Sequence, residues 1–120
     1  MQAPLDAVGF IAELRARFPE VTSELDAMEF EGLLHPEVGL FEQVTLRAWA
    51  EGDAETVRQY LAFVNDAMAV ARPDVLDALY VSYAEGFAWG SPSQQQAREL
   101  MPKRLAAAFD EIYAASQNAP

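Results

Sequence analysis

The sequence predicts an all-α fold: a single-domain bundle of about five to six antiparallel helices, built from helical hairpins, with a solenoid-like stack as the alternative. Apolar residues recur at intervals of three and four along most of the chain, whereas the alternation typical of strands is absent from the sequence. Proline and glycine interrupt this pattern at short intervals, as helix boundaries do. The 120 residues suit one domain and leave no room for two, so residues 1–120 are interpreted as one unit.

The most apolar stretch, residues 74–89, predicts the central helix of the bundle. Its apolar residues cover most of a helical wheel and leave a narrow polar line of Asp77, Ser82 and Glu85. A helix that is apolar on nearly every side is typical of a bundle interior, where other helices cover it. Pro73 suits the first turn of this helix because it has a fixed φ and no N–H.

Two helices are predicted in the N-terminal part of the chain. Residues 4–17 carry apolar side chains on a single face at helical spacing, and Pro19 ends this first helix. Residues 21–30 form a second, shorter helix, for which Thr22 or Ser23 supplies the N-terminal cap.

Two longer helices are predicted between these and the central helix. The third begins at His35 and Pro36, and it ends at Gly52, as helices commonly do at glycine. The fourth begins with Asp53 as its N-cap and ends before Pro73, because a residue preceding proline disfavours the helical conformation.

The C-terminal part is predicted to contain a loop followed by a last helix. Residues 90–96 are the least apolar piece and are interpreted as a loop running into a helix start, with Ser91 or Ser93 as the cap. Residues 97–101 are predicted to be helical, and Pro102 interrupts them. The last buried stripe consists of Leu105, Ala108, Phe109 and Ile112.

Charge is the strongest global signal, because 19 acidic residues stand against 8 basic ones, for a net charge of −11. The imbalance is concentrated in residues 1–66, which carry 13 acidic and 4 basic residues. Such a protein repels phosphate backbones and anionic lipid surfaces, which argues against a nucleic-acid or membrane partner. It favours a basic protein or a metal cation instead, whereas the alternative is that the acidity merely aids solubility.

The sequence predicts a protein of the cytoplasm. The first ten residues lack the basic start and the long apolar run of a signal peptide. No stretch reaches the roughly 18 apolar residues that a membrane span needs. The absence of cysteine excludes disulfides and thiolate sites and is compatible with a reducing compartment.

Motif searches identify no catalytic residue, no cofactor and no metal site. His35 is the only histidine and is interpreted as a helix-entry residue, since zinc needs three or four nitrogen or sulfur ligands. Glu85 is the only acid inside a strongly apolar helix and is therefore the one candidate for acid–base chemistry. The alternative is that Glu85 faces solvent or pairs with an arginine such as Arg58 or Arg98. The chain is accordingly expected not to be an enzyme.

One local feature rises above this background, an acidic window between Phe18 and Leu46 that contains no lysine or arginine. Concentrated like charge destabilises a fold by self-repulsion, so a folded protein has no structural reason to concentrate it. The window predicts an acidic docking surface that speeds encounter with a cationic partner, and the alternative is a solvated face without a role. The predicted partner-binding residues are Glu20, Glu24, Asp26, Glu29, Glu31, Glu37 and Glu42.

The order of several short motifs carries a family resemblance that covers most of the chain. These motifs are Phe18-Pro19, His35-Pro36-Glu37, Glu51-Gly52-Asp53, the Val-Ser-Tyr-Ala-Glu stretch of residues 81–85, and Met101-Pro102. In this order they resemble a group of small acidic all-helical immunity proteins of bacterial polymorphic toxin systems. The resemblance implies a cytoplasmic antitoxin that binds one cognate toxin domain and occludes it, and it transfers no catalytic residue.

Two other functions are weighed beside the immunity function. A helical adaptor or regulator would use the same kind of surface on a host protein and would have no toxin partner. An enzyme or small-ligand protein would need a closed pocket that contains Glu85, Tyr83 and Trp89, with a strongly raised pKa at Glu85. The immunity function is preferred, because the acidic window, the lack of a catalytic set and the resemblance all favour it. Many toxin domains have basic clefts for which an acidic protein would compete.

Overall fold

The structure is a computed structural model that describes residues 4–28 and 33–117. Within these residues the chain forms one all-α domain without β-strands, which confirms the predicted fold class. None of the described helices is long and apolar enough to cross a bilayer. The α-helices are α1 (Ala7–Arg17), α2 (Pro19–Asp26), α3 (Leu34–Ala50), α4 (Ala54–Val70), α5 (Pro73–Leu79), α6 (Glu85–Ala88), α7 (Pro92–Gln95) and α8 (Lys103–Gln117).

Aromatic rings from four parts of the chain make up the centre of the core. Phe41 of α3 is fully buried, and its ring centroid lies 5.1 Å from that of Tyr60 on α4 and 5.4 Å from that of Tyr83. Phe18, at the end of α1, meets Tyr60 edge to face at 4.8 Å and Phe63 at 5.5 Å. Such pairs add about 0.5–1.5 kcal/mol each to the burial of their area. These contacts fix α3 between α4 and the segment that carries Tyr83.

That segment is the predicted central helix, and the structure adds an irregular turn in its middle. Helix α5 continues without a break into a π-helical turn, Tyr80–Ala84, and then into α6. At the end of this turn the N–H of Glu85 donates to the carbonyl of Tyr80, five residues back. We call residues 73–88 the central helix. It packs against α3 on one side and α8 on another.

A buried polar contact joins the central helix to α3. The hydroxyl groups of Tyr83 and Thr45 lie 2.8 Å apart, and the Thr45 hydroxyl also donates to the Phe41 carbonyl. Both residues are fully buried, and burial raises the pKa of the Tyr83 hydroxyl far above its usual range. Buried hydroxyl groups are costly without partners, so this pair specifies the register between the two helices.

Several helix starts differ from the prediction. Helix α1 begins at Ala7 instead of residue 4, since Asp6 caps it and Leu5 forms an isolated parallel bridge with Ala71. Helix α2 begins at Pro19 directly after α1, so the predicted caps Thr22 and Ser23 lie inside it. Proline has no backbone N–H, so the first turn of α2 has one N–H group fewer that needs a hydrogen-bond partner. Pro19 can therefore start the helix without a side-chain cap.

The predicted turns near Gly52 and Ser91 are present, although the second leads into more helix than expected. Gly52 has a φ of 78° after the end of α3, and the Asp53 carboxylate accepts from the Thr56 N–H at the start of α4. Ser91 and Gln94 form a reciprocal capping box that starts α7 within the predicted loop. A 3₁₀ turn, Gln96–Leu100, then leads to the interruption before α8.

Candidate protein-interaction surface

A polar pocket lies where α2, the end of α3 and the start of α4 come together. Its volume is about 260 Å³. Four carboxylates from these elements line it around a single cation, Arg47. We call it the acidic pocket, and its charged residues are Glu20, Glu24, Glu51, Asp53 and Arg47.

The fold brings these side chains together through helix ends. Glu20 and Glu24 lie one turn apart on α2, and Glu51 and Asp53 flank the glycine turn between α3 and α4. Three of the four acidic residues are exposed, so their charges face solvent: Glu20, Glu51 and Asp53. Among the described residues, Glu20 and Glu51 have no ion-pair partner. The pocket therefore carries a surplus of negative charge.

The remaining carboxylate, Glu24, is held by Arg47. The two Arg47 nitrogens Nη1 and Nη2 donate to the two Glu24 oxygens at 3.1 and 2.6 Å. This hydrogen bond, followed by the Glu24 charge and a smaller effect of Glu51, raises the pKa of Arg47. Two-point pairing fixes the direction of the guanidinium, although the exposure of both side chains keeps the pair weak.

The electrostatic effect of the pocket is visible at Tyr60, which forms its floor. Burial is the main reason that the pKa of Tyr60 is raised to about 12, and the charges of Glu20, Asp53 and Glu24 raise it further. Arg47 acts in the opposite direction and does not cancel them. Carboxylates from helix α2 and from the turn before α4 thus act on the same hydroxyl group.

The acidic window as a whole does not form one surface of unpaired charge. The expectation that its acids lack counter-charges is wrong for Glu24 and for Asp26, whose carboxylate meets Arg15 at 2.6 Å. Arg15 and Arg47 flank the window in sequence, and helix packing folds both onto it. Glu37 is 3 % exposed and so does not lie on the predicted surface.

Glu29 and Glu31 lie outside the described residues, so their predicted role stays a prediction. Of the seven predicted residues, Glu20 and Glu24 are the two that line the acidic pocket. Glu51 and Asp53 were not among the predicted binding residues. Their position on the Glu-Gly-Asp turn is visible in the sequence, but its approach to α2 depends on how the helices pack.

Glu42, the last residue of the window, lies in a different environment. Its side chain is half-buried against the backbone of Gly86 on α6, where an added Cβ would overlap the carboxylate. Burial raises the pKa of Glu42 to about 7, because removal from water disfavours the charged form. Glu42 therefore changes its charge near neutral pH. Its burial distinguishes it from the exposed pocket acids Glu20, Glu51 and Asp53.

The two residues singled out for possible chemistry occupy surface positions. His35 lies in the first turn of α3, as predicted, and its Nδ1 is 2.8 Å from the Ser82 hydroxyl. Glu85 is half-buried, and its pKa is raised first by burial and then by the charge of Asp77. Among the described residues Glu85 pairs with neither predicted arginine, since Arg98 binds Asp110 in a two-point contact.

No group of three or more histidine and carboxylate side chains within residues 4–28 and 33–117 could hold a metal ion. The four carboxylates of the acidic pocket thus lie together without converging on one point.

Comparison with known proteins gives one family. No curated protein and no solved structure matches the chain. The model of DUF7674, described as a domain of unknown function, matches residues 11–115, a span that includes the acidic pocket and the whole central helix. The chain belongs to the DUF7674 family.

Proposed function

We propose that this protein binds a cationic protein partner through the acidic pocket and, as an immunity protein, occludes a cognate toxin domain in the cytoplasm. The observation that carries the proposal is that four carboxylates from α2 and from the turn between α3 and α4 line one pocket, whose single cation, Arg47, binds Glu24 and no other carboxylate of the described residues. The family resemblance of the sequence motifs adds the class of partner. The proposal assigns no catalytic step to the protein.

The charge distribution supports two separate contributions to binding. The net charge of −11 attracts a cationic partner over long range and raises the rate of encounter. The exposed carboxylates of Glu20 and Glu51 then offer short-range partners for lysine or arginine side chains. A toxin domain with a basic cleft for nucleic acid or nucleotides would present such side chains around its active site.

The Glu24–Arg47 pair gives the pocket a means to select its partner. A partner arginine that competes for Glu24 would release Arg47, which could then bind a carboxylate of the partner. Because both side chains are exposed, this exchange has a low cost in free energy. A partner with a basic residue beside an acidic one would therefore fit the pocket better than a uniformly basic one.

The test is co-expression with the product of the adjacent gene, where that gene encodes a toxin domain. We expect the wild type to protect growth and to elute with the toxin domain as one complex in gel filtration. The double variant Glu20→Lys with Glu51→Lys should lose both properties, because it reverses two exposed charges of the pocket. Absence of a complex with wild-type protein, or of growth protection, would refute the proposal.

A matched control separates the pocket from net charge. Glu13 and Glu111 are exposed residues of α1 and α8 that do not line the pocket. The variant Glu13→Lys with Glu111→Lys changes net charge by the same amount and should still protect growth. Loss of protection in the control as well would assign the effect to total charge and not to the pocket.

A further inference from the structure

A second surface, which shares no lining residue with the acidic pocket, lies between the central helix and α8. One depression of about 480 Å³ is lined by residues that include Leu76, Val81 and Ile112. An adjoining depression of about 270 Å³ is lined by Met68, Leu76, Tyr80, Ala107 and the basic residue Arg104. Both include Leu76 and Tyr80, so they form one continuous groove, which we call the apolar groove.

The floor of the apolar groove is accessible. Val81 is 46 % exposed, and Leu76, Tyr80 and Ile112 are half-buried. Apolar side chains gathered in a groove on a monomer commonly mark a site where another molecule binds. The length of the groove from Asp77 to Glu85 corresponds to about 12 Å of helix, which is roughly two turns.

The π-helical turn arranges the charges of this groove. Asp77, Val81 and Glu85 lie in the turn and the helices on either side of it, and all three line the larger depression. The extra residue per turn rotates α6 relative to α5, which brings Glu85 onto the same wall as Asp77. Two carboxylates thus flank an exposed apolar side chain.

These two carboxylates lack a strong counter-charge within the described part of the chain. The nearest basic group to Asp77 is the His35 imidazole, whose Nε2 lies 3.5 Å from Oδ2. Glu85 has no ion pair there, and the charge of Asp77 acts on it unfavourably. A cation placed between them would relieve this repulsion and bind both carboxylates.

We propose that the apolar groove docks an amphipathic helix of a partner protein that places apolar side chains on Leu76, Tyr80 and Val81 and a lysine or arginine between Asp77 and Glu85. A helix of this kind recognises a groove through anchors at positions i, i+4 and i+7. The groove thus has both of the features that such a helix needs, an apolar floor and an anionic wall.

The charge of the protein argues against two other occupants. A second copy of this chain would bring a net charge of −11 against the same charge, and a twofold arrangement would face carboxylates with carboxylates. An anionic lipid surface would be repelled in the same way. A helix with its basic residue between Asp77 and Glu85 is the occupant whose charge complements the larger depression, which has no basic residue in its described lining.

The experiment is selection of helical peptides from a phage-displayed library of random two- to three-turn sequences on the full wild-type protein. We expect the enriched peptides to carry an apolar stripe flanked by lysine or arginine. Synthetic copies should bind Val81→Lys at least about tenfold more weakly than wild type, because that variant puts a cation into the groove. The isosteric variant Asp77→Asn with Glu85→Gln should weaken binding in the same direction.

Val8→Lys is the matched control, since Val8 is 81 % exposed on α1 and lies outside the groove. It should change the affinity by less than about twofold. Circular dichroism of each variant checks that the fold is retained. Failure to enrich any peptide, equal binding by neutral apolar peptides, or undiminished binding to Val81→Lys would overturn the proposal. A wild-type dimer that Val81→Lys dissociates would also overturn it, in favour of a second copy.

The proposal for the groove goes beyond the proposed function and is independent of it. Variants of the groove leave Glu20 and Glu51 in place, so loss of peptide binding with retained toxin binding would concern the groove alone. Loss of toxin binding in the pocket variant with retained peptide binding would concern the acidic pocket alone.

Discussion

The two faces of helix α3 place a glutamate in different environments, one ion-paired at the surface and one half-buried. On one face Arg47 binds Glu24 at 2.6 Å, in solvent and at the rim of the acidic pocket. On the other face Glu42 lies half-buried over Gly86, without a counter-charge among the described residues, and its pKa is about 7. Both glutamates come from the same acidic window of the sequence. Their difference arises from packing and not from residue type.

The comparison teaches that a count of acidic residues is a poor guide to usable charge. Glu20 is exposed and has no ion-pair partner among the described residues, whereas Glu24 is paired with Arg47 at the surface. Glu42 is expected to be charged in only part of the molecules at neutral pH, since burial opposes its ionisation. Within the described residues, Glu20 and Glu24 are therefore the window acids whose carboxylates line the acidic pocket.

The largest expected effect is on the free energy of unfolding, and it comes from removing a core side chain of α3, the helix that carries both Arg47 and Glu42. Phe41 of α3 is fully buried, and its ring packs against the rings of Tyr60 and Tyr83. Phe41→Ala should lower the free energy of unfolding by about 3–5 kcal/mol, because it removes a buried ring and leaves a cavity. Chemical denaturation measures this change. Val8→Ala, at an exposed position, should cost less than about 0.5 kcal/mol.

A loss below about 1 kcal/mol in Phe41→Ala would mean that α3 is not held by its aromatic contacts. The two environments of Glu24 and Glu42 would then need another explanation, since α3 positions both Arg47 and Glu42.

The second effect is a pH dependence that belongs to Glu42. Its pKa in the folded state, about 7, is above the ordinary value of 4.5 that it recovers on unfolding. Its contribution to stability is therefore fully present below pH 4.5 and is lost as the pH rises through 7. We expect the loss to be about 1–2 kcal/mol, less than the full shift would give, because the half-exposed carboxyl keeps part of its hydration.

Glu42→Gln measures this contribution, since glutamine has nearly the same shape and does not titrate. The difference in unfolding free energy between wild type and Glu42→Gln, followed from pH 4.5 to pH 8, should move steadily in favour of the variant. A difference that stays constant over this range would show that Glu42 ionises with its ordinary pKa.

The smallest effect on stability is expected from Gly86→Ala, which should nevertheless lower the pKa of Glu42. The added methyl group would overlap the Glu42 carboxylate, which is the flexible end of its side chain and can move out into water. Alanine favours a helix over glycine by about 1 kcal/mol, so the total stability should change little. The pKa of Glu42 should fall from about 7 toward 4.5 in a carbon-13 NMR titration.

Gly39→Ala is the control for this titration, because nothing lies within 4 Å of a methyl group added at Gly39. It changes the same helix, α3, and should leave the pKa of Glu42 where it is. If Gly86→Ala also left it unchanged, the burial of Glu42 would not depend on the close approach to α6.

Much of the fold could be predicted from the sequence because it depends on local patterns. The stripe that contains Leu105, Ala108 and Phe109 is buried as its spacing predicted. The Asp53 cap and the Ser91 cap follow from residue types with a strong preference for those positions. The π-helical turn has no such local signal, because an extra residue is accommodated by tertiary contacts around Tyr83.

The candidate surface was harder to predict, since it is assembled from residues far apart in sequence. Glu24 and Arg47 are separated by 23 positions, and Arg15 and Asp26 by 11. The sequence contains no lysine or arginine within residues 18–46. It could not indicate that arginines on either side fold back onto them, because this depends on the angles between helices.

The most direct test of the proposed acidic pocket is the association rate constant with the cognate toxin domain at two ionic strengths. At low salt, Glu20→Lys with Glu51→Lys should associate about tenfold more slowly than wild type, with a weaker dependence on salt. Glu13→Lys with Glu111→Lys, which has the same net charge, should be slowed by less than about threefold. Equal slowing of the two variants, or no slowing of the pocket variant, would contradict the assignment of binding to the acidic pocket.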